Sequence, residues 1–162
     1  MNQIIIQNIP NFITLLNLQF GFVGLICCLN NNYSYYYVCF TLSLLCDFLD
    51  GKSARYLKVS SEIGAQLDSL SDMVSFVFIP CFLGYHRYDL IIPNSIYLLC
   101  GCYRLARFNV SHTNTDFEGI PTVLASIMVV VFMFYEFDIS YIKILYLLVS
   151  YLMVSKIKVL KL

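Results

Sequence analysis

The chain has 162 residues, 59% of them hydrophobic and only 12% charged, and its ten basic and ten acidic residues balance to a net charge of zero. Soluble domains carry roughly 25% charged residues, so this composition belongs to the membrane class, and zero net charge leaves no case for nucleic-acid binding. Seven cysteines (Cys27, Cys28, Cys39, Cys46, Cys81, Cys100, Cys102) form no CxxC pair and no zinc-spaced cluster. Most lie in apolar runs, where a thiol acts as a small hydrophobe.

Residues 1–10, "MNQIIIQNIP", form a short, partly apolar lead suited to the membrane interface. They lack the basic start and small-residue cleavage site of a signal peptide. A spanning helix needs about 20 mostly apolar residues. The first such stretch runs from about Asn11 to Cys28 and the second from about Tyr35 to Tyr56, opening near an aromatic belt, "YSYYYV". The third covers about Glu62 to Gly84 and the fourth about Leu90 to Asn109. The fifth, about Pro121 to Tyr135, is short, and the sixth covers about Ile142 to Val154.

The links "NNNYS", "LKVSS", "YHRYD", "SHTNTDFEG" and "EFDIS" are brief, and His86 and His112 fall in them as solvated loop residues. The reading is one all-α integral membrane domain over residues 1–162, with six transmembrane helices. An N-terminus in the cytoplasm puts Lys52, Arg55, Lys58, Arg104, Arg107, Lys156, Lys158 and Lys161 on that side and only Arg87 and Lys143 outside. Both termini then face the cytoplasm, in a multi-pass protein of the cell inner membrane. Lys156, Lys158 and Lys161 anchor the last span.

Against this background, Asp47, Asp50, Asp68 and Asp72 stand out. Asp47 and Asp50 are three apart and Asp68 and Asp72 four apart, so each pair shares a helix face, with Gly64 on the second stripe. The short "LKVSS" link brings the two helix ends together as an antiparallel pair, and the carboxylates converge at the cytoplasmic edge. Two unit charges at 4 Å repel by about 4 kcal/mol at an effective dielectric of 20. Either some of the acids protonate or cations neutralise them. An all-oxygen set suits Mg²⁺, Mn²⁺ or Ca²⁺, and four acids can hold two such ions with one acid able to act as a base. Gly51 and Ala54 lack bulk, so a ligand can approach the backbone. Arg55 borders that face with a fork for phosphate. Ser60 and Ser61 can donate hydrogen bonds from the turn. An intramembrane ion pathway also explains four acids, but not the small residues and arginine at these spacings.

The pattern Asp47-x-x-Asp50-Gly51-x-x-Ala54-Arg55-(eight residues)-Gly64-x-x-x-Asp68-x-x-x-Asp72 resembles, at every position, the signature of the CDP-alcohol phosphatidyltransferases. The resemblance implies a six-helix membrane domain, and a homodimer. It implies two divalent cations, Mg²⁺ or Mn²⁺, on Asp47, Asp50, Asp68 and Asp72, and Asp72 as the base for the attacking hydroxyl. It implies that Gly51, Ala54, Arg55, Ser61 and Gly64 line the site for CDP-diacylglycerol, and that Asn11 and Thr14 in "PNFITLLN" reach the nucleotide.

"SEIGAQLDSLSDMVSF", "YRLARFNV" (residues 103–110) and "FEGIPTVLAS" (residues 117–126) further resemble the serine-using branch, the phosphatidylserine synthases. The chain lacks the proline and lysine of the "LDPlADK" stretch of phosphatidylglycerophosphate synthases. It departs from the serine enzymes at Val77, where they usually carry glycine, and at Val123, where they often carry proline. The implied reaction moves a phosphatidyl group from CDP-diacylglycerol to L-serine and releases CMP. Glycerol 3-phosphate, inositol and inositol phosphate are the alternative acceptors. Serine's carboxylate needs a cation, and Arg104 and Arg107, three apart near the cytoplasmic end of the fourth span, share a face for it; the same pair also suits snorkelling to the interface.

Overall fold

The computed structural model describes residues 2–59, 61–110 and 119–156, with side chains from Asn8 onward. Ser60, His112, Lys158, Lys161 and the start of the 117–126 segment, singled out above, lie outside the described residues. Every regular element among those described is helical. Helix α1 is Asn2–Leu29, α2 is Tyr33–Leu57 and α3 is Glu62–Asp72. A six-residue π-helical stretch, Met73–Phe78, joins α3 to α4, Ile79–Tyr88. Then come α5, Ile91–Val110, α6, Thr122–Phe134, and α7, Ile139–Val154.

Because α3, the π stretch and α4 follow one another without a break in helical backbone, the described elements form six helices, in register with the six expected stretches. Two of them, Asn8–Leu29 and Glu62–Tyr88, are long and apolar enough to cross a membrane. The expected interfacial lead is helical from Asn2, continuous with the first span, and Pro10 sits inside that helix. With 13 and 16 residues, α6 and α7 are apolar but shorter.

Among the described residues four helices end on a left-handed residue that is not glycine: Asn31, Lys58, Asp89 and Glu136, with φ of 57°, 54°, 53° and 54°. At Asn31, Lys58 and Glu136 the next N–H reaches back five residues: Asn32 to Cys27 O, Val59 to Ala54 O and Phe137 to Phe132 O. These are Schellman closures, which satisfy the last carbonyls at a cost of about 1–2 kcal/mol for each non-glycine residue in that conformation.

Two compact units divide the chain at Ser75/Phe76. In the first, α1 packs along α2 and against α3. The buried side of α1 is polar or small: Thr14, Asn17, Gly21, Gly24 and Cys28 recur every three or four residues. Phe12, Leu15, Phe22 and Ile26 point outward. Polar and small residues inward, with apolar ones outward, is the pattern of a helix surrounded by lipid. At Gly24 an added Cβ would lie 3.4 Å from the Tyr36 ring, so the missing side chain is what lets α2 come close.

In the second unit, Pro80 has no N–H to offer the carbonyl four residues earlier, that of Phe76. The Tyr97 hydroxyl donates to that carbonyl at 2.9 Å, and the Tyr146 hydroxyl donates to Pro80 O at 2.7 Å. Val77, the departure noted above, is fully buried and fills the notch at Gly101, where a Cβ would lie 2.6 Å from Val77 Cγ1. Arg87 pairs with Glu136 and donates to Met133 O at 3.0 Å.

Candidate active site

Helix geometry places each acid. Asp47 and Asp50 lie one turn apart on α2, and Asp68 and Asp72 one turn apart on α3. The structure brings Asp47, Asp50 and Asp68 together, each offering a carboxylate oxygen within 4.8 Å of the others. Asp72, one turn further along α3, has Asp47 as its nearest acidic neighbour. Asp50 and Asp72 are 5% and 8% exposed. The pairs converge as the spacing requires, although α1, rather than a close α2–α3 seam, is the main packing partner of both helices.

No ion pair among the described residues involves any of the four acids. Like charges this close need a counter-charge from elsewhere. The donor set is all oxygen, which is the chemistry hard divalent cations select. Asp72 Oδ1 is buried with no hydrogen-bond partner, an acceptor still to be satisfied. The residues present therefore fit divalent metal.

Around the acids, α1 contributes a polar stripe. The Thr14 hydroxyl donates to Asp50 Oδ2 at 2.7 Å and lies 3.0 Å from Pro10 O. Having one proton, it serves the carboxylate first. Thr14 thus orients an acid directly, a role its resemblance-based assignment to the nucleotide did not include. Its own carbonyl accepts from Ser71 Oγ at 3.1 Å, tying α3 to α1 beside Asp72.

Asn11 Oδ1 sits where a Cβ on Gly64 would come within 2.9 Å, so that glycine makes room for Asn11. Ser61 caps α3, accepting from Gly64 N at 2.9 Å. Its oxygen is engaged as an acceptor, while its hydroxyl proton stays available to donate. Gly51 faces open space, with no atom within 4 Å of the position a Cβ would take, and Arg55 beside it is exposed.

One turn below the acids lies a second polar layer that sequence reasoning missed. Asn17, 0% exposed, accepts from Ser43 through Oδ1, and its carbonyl accepts from Ser75 Oγ at 3.3 Å. The only signal for it was Asn17's place three residues after Thr14. In the second unit, Arg107 Nη1 donates to Val154 O at 3.5 Å and the Arg104 guanidinium lies over the Phe108 ring.

The profile of the CDP-alcohol phosphatidyltransferases matches residues 7–155, which include all four aspartates. The chain belongs to this family. Its relatives include the CDP-diacylglycerol–serine O-phosphatidyltransferase of Methanocaldococcus jannaschii, 37% identical over 130 residues, covering 78% of this chain and 61% of that one. The Bacillus subtilis protein of the same name is 34% identical over 133 residues, covering 78% of this chain and 75% of its own. The archaetidylserine synthase of Methanothermobacter thermautotrophicus is 32% identical over 129 residues, covering 75% and 55%. The chain spans about half to three-fifths of the length of most curated relatives it matches. CDP-alcohol phosphatidyltransferases use divalent metal, and the three-aspartate cluster is where this chain could hold it.

Proposed function

We propose that the protein transfers the phosphatidyl group of CDP-diacylglycerol to the hydroxyl of L-serine, giving phosphatidylserine and CMP. The observation that carries this reading is the cluster of Asp47, Asp50 and Asp68, joined by Asp72, with no cation of the protein paired to it among the described residues. The serine acceptor is supported by the "LDSLSD" stretch and by the names of the relatives. In this reading Asp47, Asp50, Asp68 and Asp72 hold two divalent cations, Mg²⁺ or Mn²⁺. Such ions supply the positive charge that offsets the pyrophosphate and the charge growing on the leaving CMP.

The remaining steps fall to side chains. Gly51 and Ala54 let CDP lie against the backbone of α2, Arg55 forks onto a phosphate, and Gly64, Asn11 and Ser61 border the nucleotide. Thr14 holds Asp50 in position. The serine oxygen forms a bond to the phosphorus that carries diacylglycerol. The bond from that phosphorus to the bridging oxygen breaks, and CMP leaves with the electron pair. Asp72 takes the hydroxyl proton, and its unpartnered Oδ1 is suited to receive it. Arg104 or Arg107 binds the serine carboxylate. The lipid tails remain in the bilayer of the cell inner membrane, the aspartates face the cytoplasm with both termini, and the enzyme works as a homodimer.

The test is release of CMP from CDP-diacylglycerol by purified protein with Mg²⁺ or Mn²⁺, comparing serine with glycerol 3-phosphate, inositol and inositol phosphate. Serine should give the fastest release, and Asp68→Asn should lower it by orders of magnitude. Faster release with another acceptor replaces serine; no release with any acceptor ends the enzymatic reading.

A further inference from the structure

We infer that Asn17 is a positioning residue for the acid site, setting the register at which the aspartates of α2 and α3 meet. The inference rests on the reading of those aspartates as metal ligands. Asn17 is completely buried on α1 and receives hydroxyls from two other elements. Ser43 Oγ on α2 donates to its Oδ1 and lies 3.4 Å from its carbonyl. Ser75 Oγ in the π-helical stretch donates to the same carbonyl at 3.3 Å.

Each member lies about one turn deeper than an acid-layer residue on its own helix. Asn17 follows Thr14 by three, Ser43 precedes Asp47 by four and Ser75 follows Asp72 by three. A rotation or slip of α2 or α3 against α1 has to break these bonds as well as those that tie Thr14 to Asp50 and Ser71. The layer is therefore a register key, the best-attested use of buried polar groups.

A role in stability alone does not explain why the residue is an asparagine. Its Nδ2 is buried with no hydrogen-bond partner. A serine or threonine would accept from Ser43 without burying an unused donor, and an orphaned buried donor is costly. Residues that break a local rule in this way are expected at functional sites. Groups that hydrogen-bond a metal's ligands typically change its affinity about 10–100-fold, and Asn17, one layer further out, is expected at the lower end of that range.

The experiment is Mn²⁺ titration of the full-length protein in lipid nanodiscs, followed by electron paramagnetic resonance, with thermal melting of the same samples. Asn17→Leu combined with Ser43→Ala removes both partners of the side-chain tie together with the orphan. It should melt no lower than the native protein, yet bind Mn²⁺ at least about 10-fold more weakly. Ser75→Ala, which keeps Asn17, should weaken Mn²⁺ in the same direction and gives the same readout if the double variant does not fold. Native Mn²⁺ affinity in folded variants overturns the inference, whether or not melting falls. Asp68→Asn is the control that separates the two ideas. If it abolishes Mn²⁺ binding while the Asn17 and Ser75 variants bind normally, only the register role is lost; if it too binds normally, the metal reading falls and takes the register role with it.

Discussion

Replacing Gly51 with alanine separates stability from ligand binding. Gly51 lies in the interior of α2, is exposed, and has no atom within 4 Å of where a Cβ would stand. Nothing in the protein resists the extra methyl, and glycine inside a helix is worse than alanine by roughly 0.5–1 kcal/mol. Gly51→Ala should therefore be at least as stable as the native chain, with a midpoint higher by about 1–4 °C for a chain of this size. If CDP lies against the α2 backbone, the same methyl meets the ligand. Overpacking of a close contact costs about 1–3 kcal/mol. At 1.4 kcal/mol per factor of ten, the KM for CDP-diacylglycerol should rise about 5- to 150-fold. The assay is CMP release over a range of CDP-diacylglycerol concentrations, beside a melting curve. A variant with higher stability and unchanged KM would refute the placement of the ligand at Gly51. A less stable variant would refute the open face itself.

Gly101→Ala should destabilise the protein by about 1–3 kcal/mol, because its Cβ would press on Val77 at 2.6 and 2.9 Å, and Val77→Ala in the same chain should relieve part of that cost; a double-mutant cycle on melting free energies reads the coupling. Tyr97→Phe should cost about 1–3 kcal/mol by leaving the Phe76 carbonyl without its hydroxyl donor, while leaving Mn²⁺ affinity unchanged. Asp138 caps α7 by accepting from Ser140 N at 2.8 Å, and that bond holds its carboxyl below the ordinary value of 3.8. Its contribution is present above the unfolded value and lost as pH falls through the lower folded one; Asp138→Asn keeps a capping oxygen and should flatten melting temperature against pH below about 4.

Much of this architecture was readable because lipid simplifies the code. Apolar runs marked all six helices, to within a few residues except at the start of α1, which begins at Asn2 rather than Asn11, and Asp47, Asp50, Asp68 and Asp72 stood out because so little else in those runs carries charge. What escaped notice depends on partners far along the chain. The π-helical stretch after Asp72 carries no local signature; it sits where Pro80 removes a donor and Tyr97, 21 residues from Phe76, supplies another. The helix ends at Asn31, Lys58 and Glu136 lack the glycine that usually marks them. Asn17 was hidden because polar residues on a mostly apolar helix stand out only once the buried face is known. Val77 read as a departure from the serine enzymes, and the fold shows its complement at Gly101.

The inward-facing polar stripe of α1 also bears on how the chain is made. As α1 leaves the ribosome and enters the bilayer, Asn17 has no hydroxyl to accept until Ser43 emerges 26 residues later, and Ser75 follows only after α3. An unsatisfied amide in hydrocarbon is unfavourable, so the nascent hairpin of α1 and α2 is held together from its first moments in the membrane. The groups that tie α1 to α2 and to the π-helical stretch are all encoded by residue 75, ahead of the C-terminal helices.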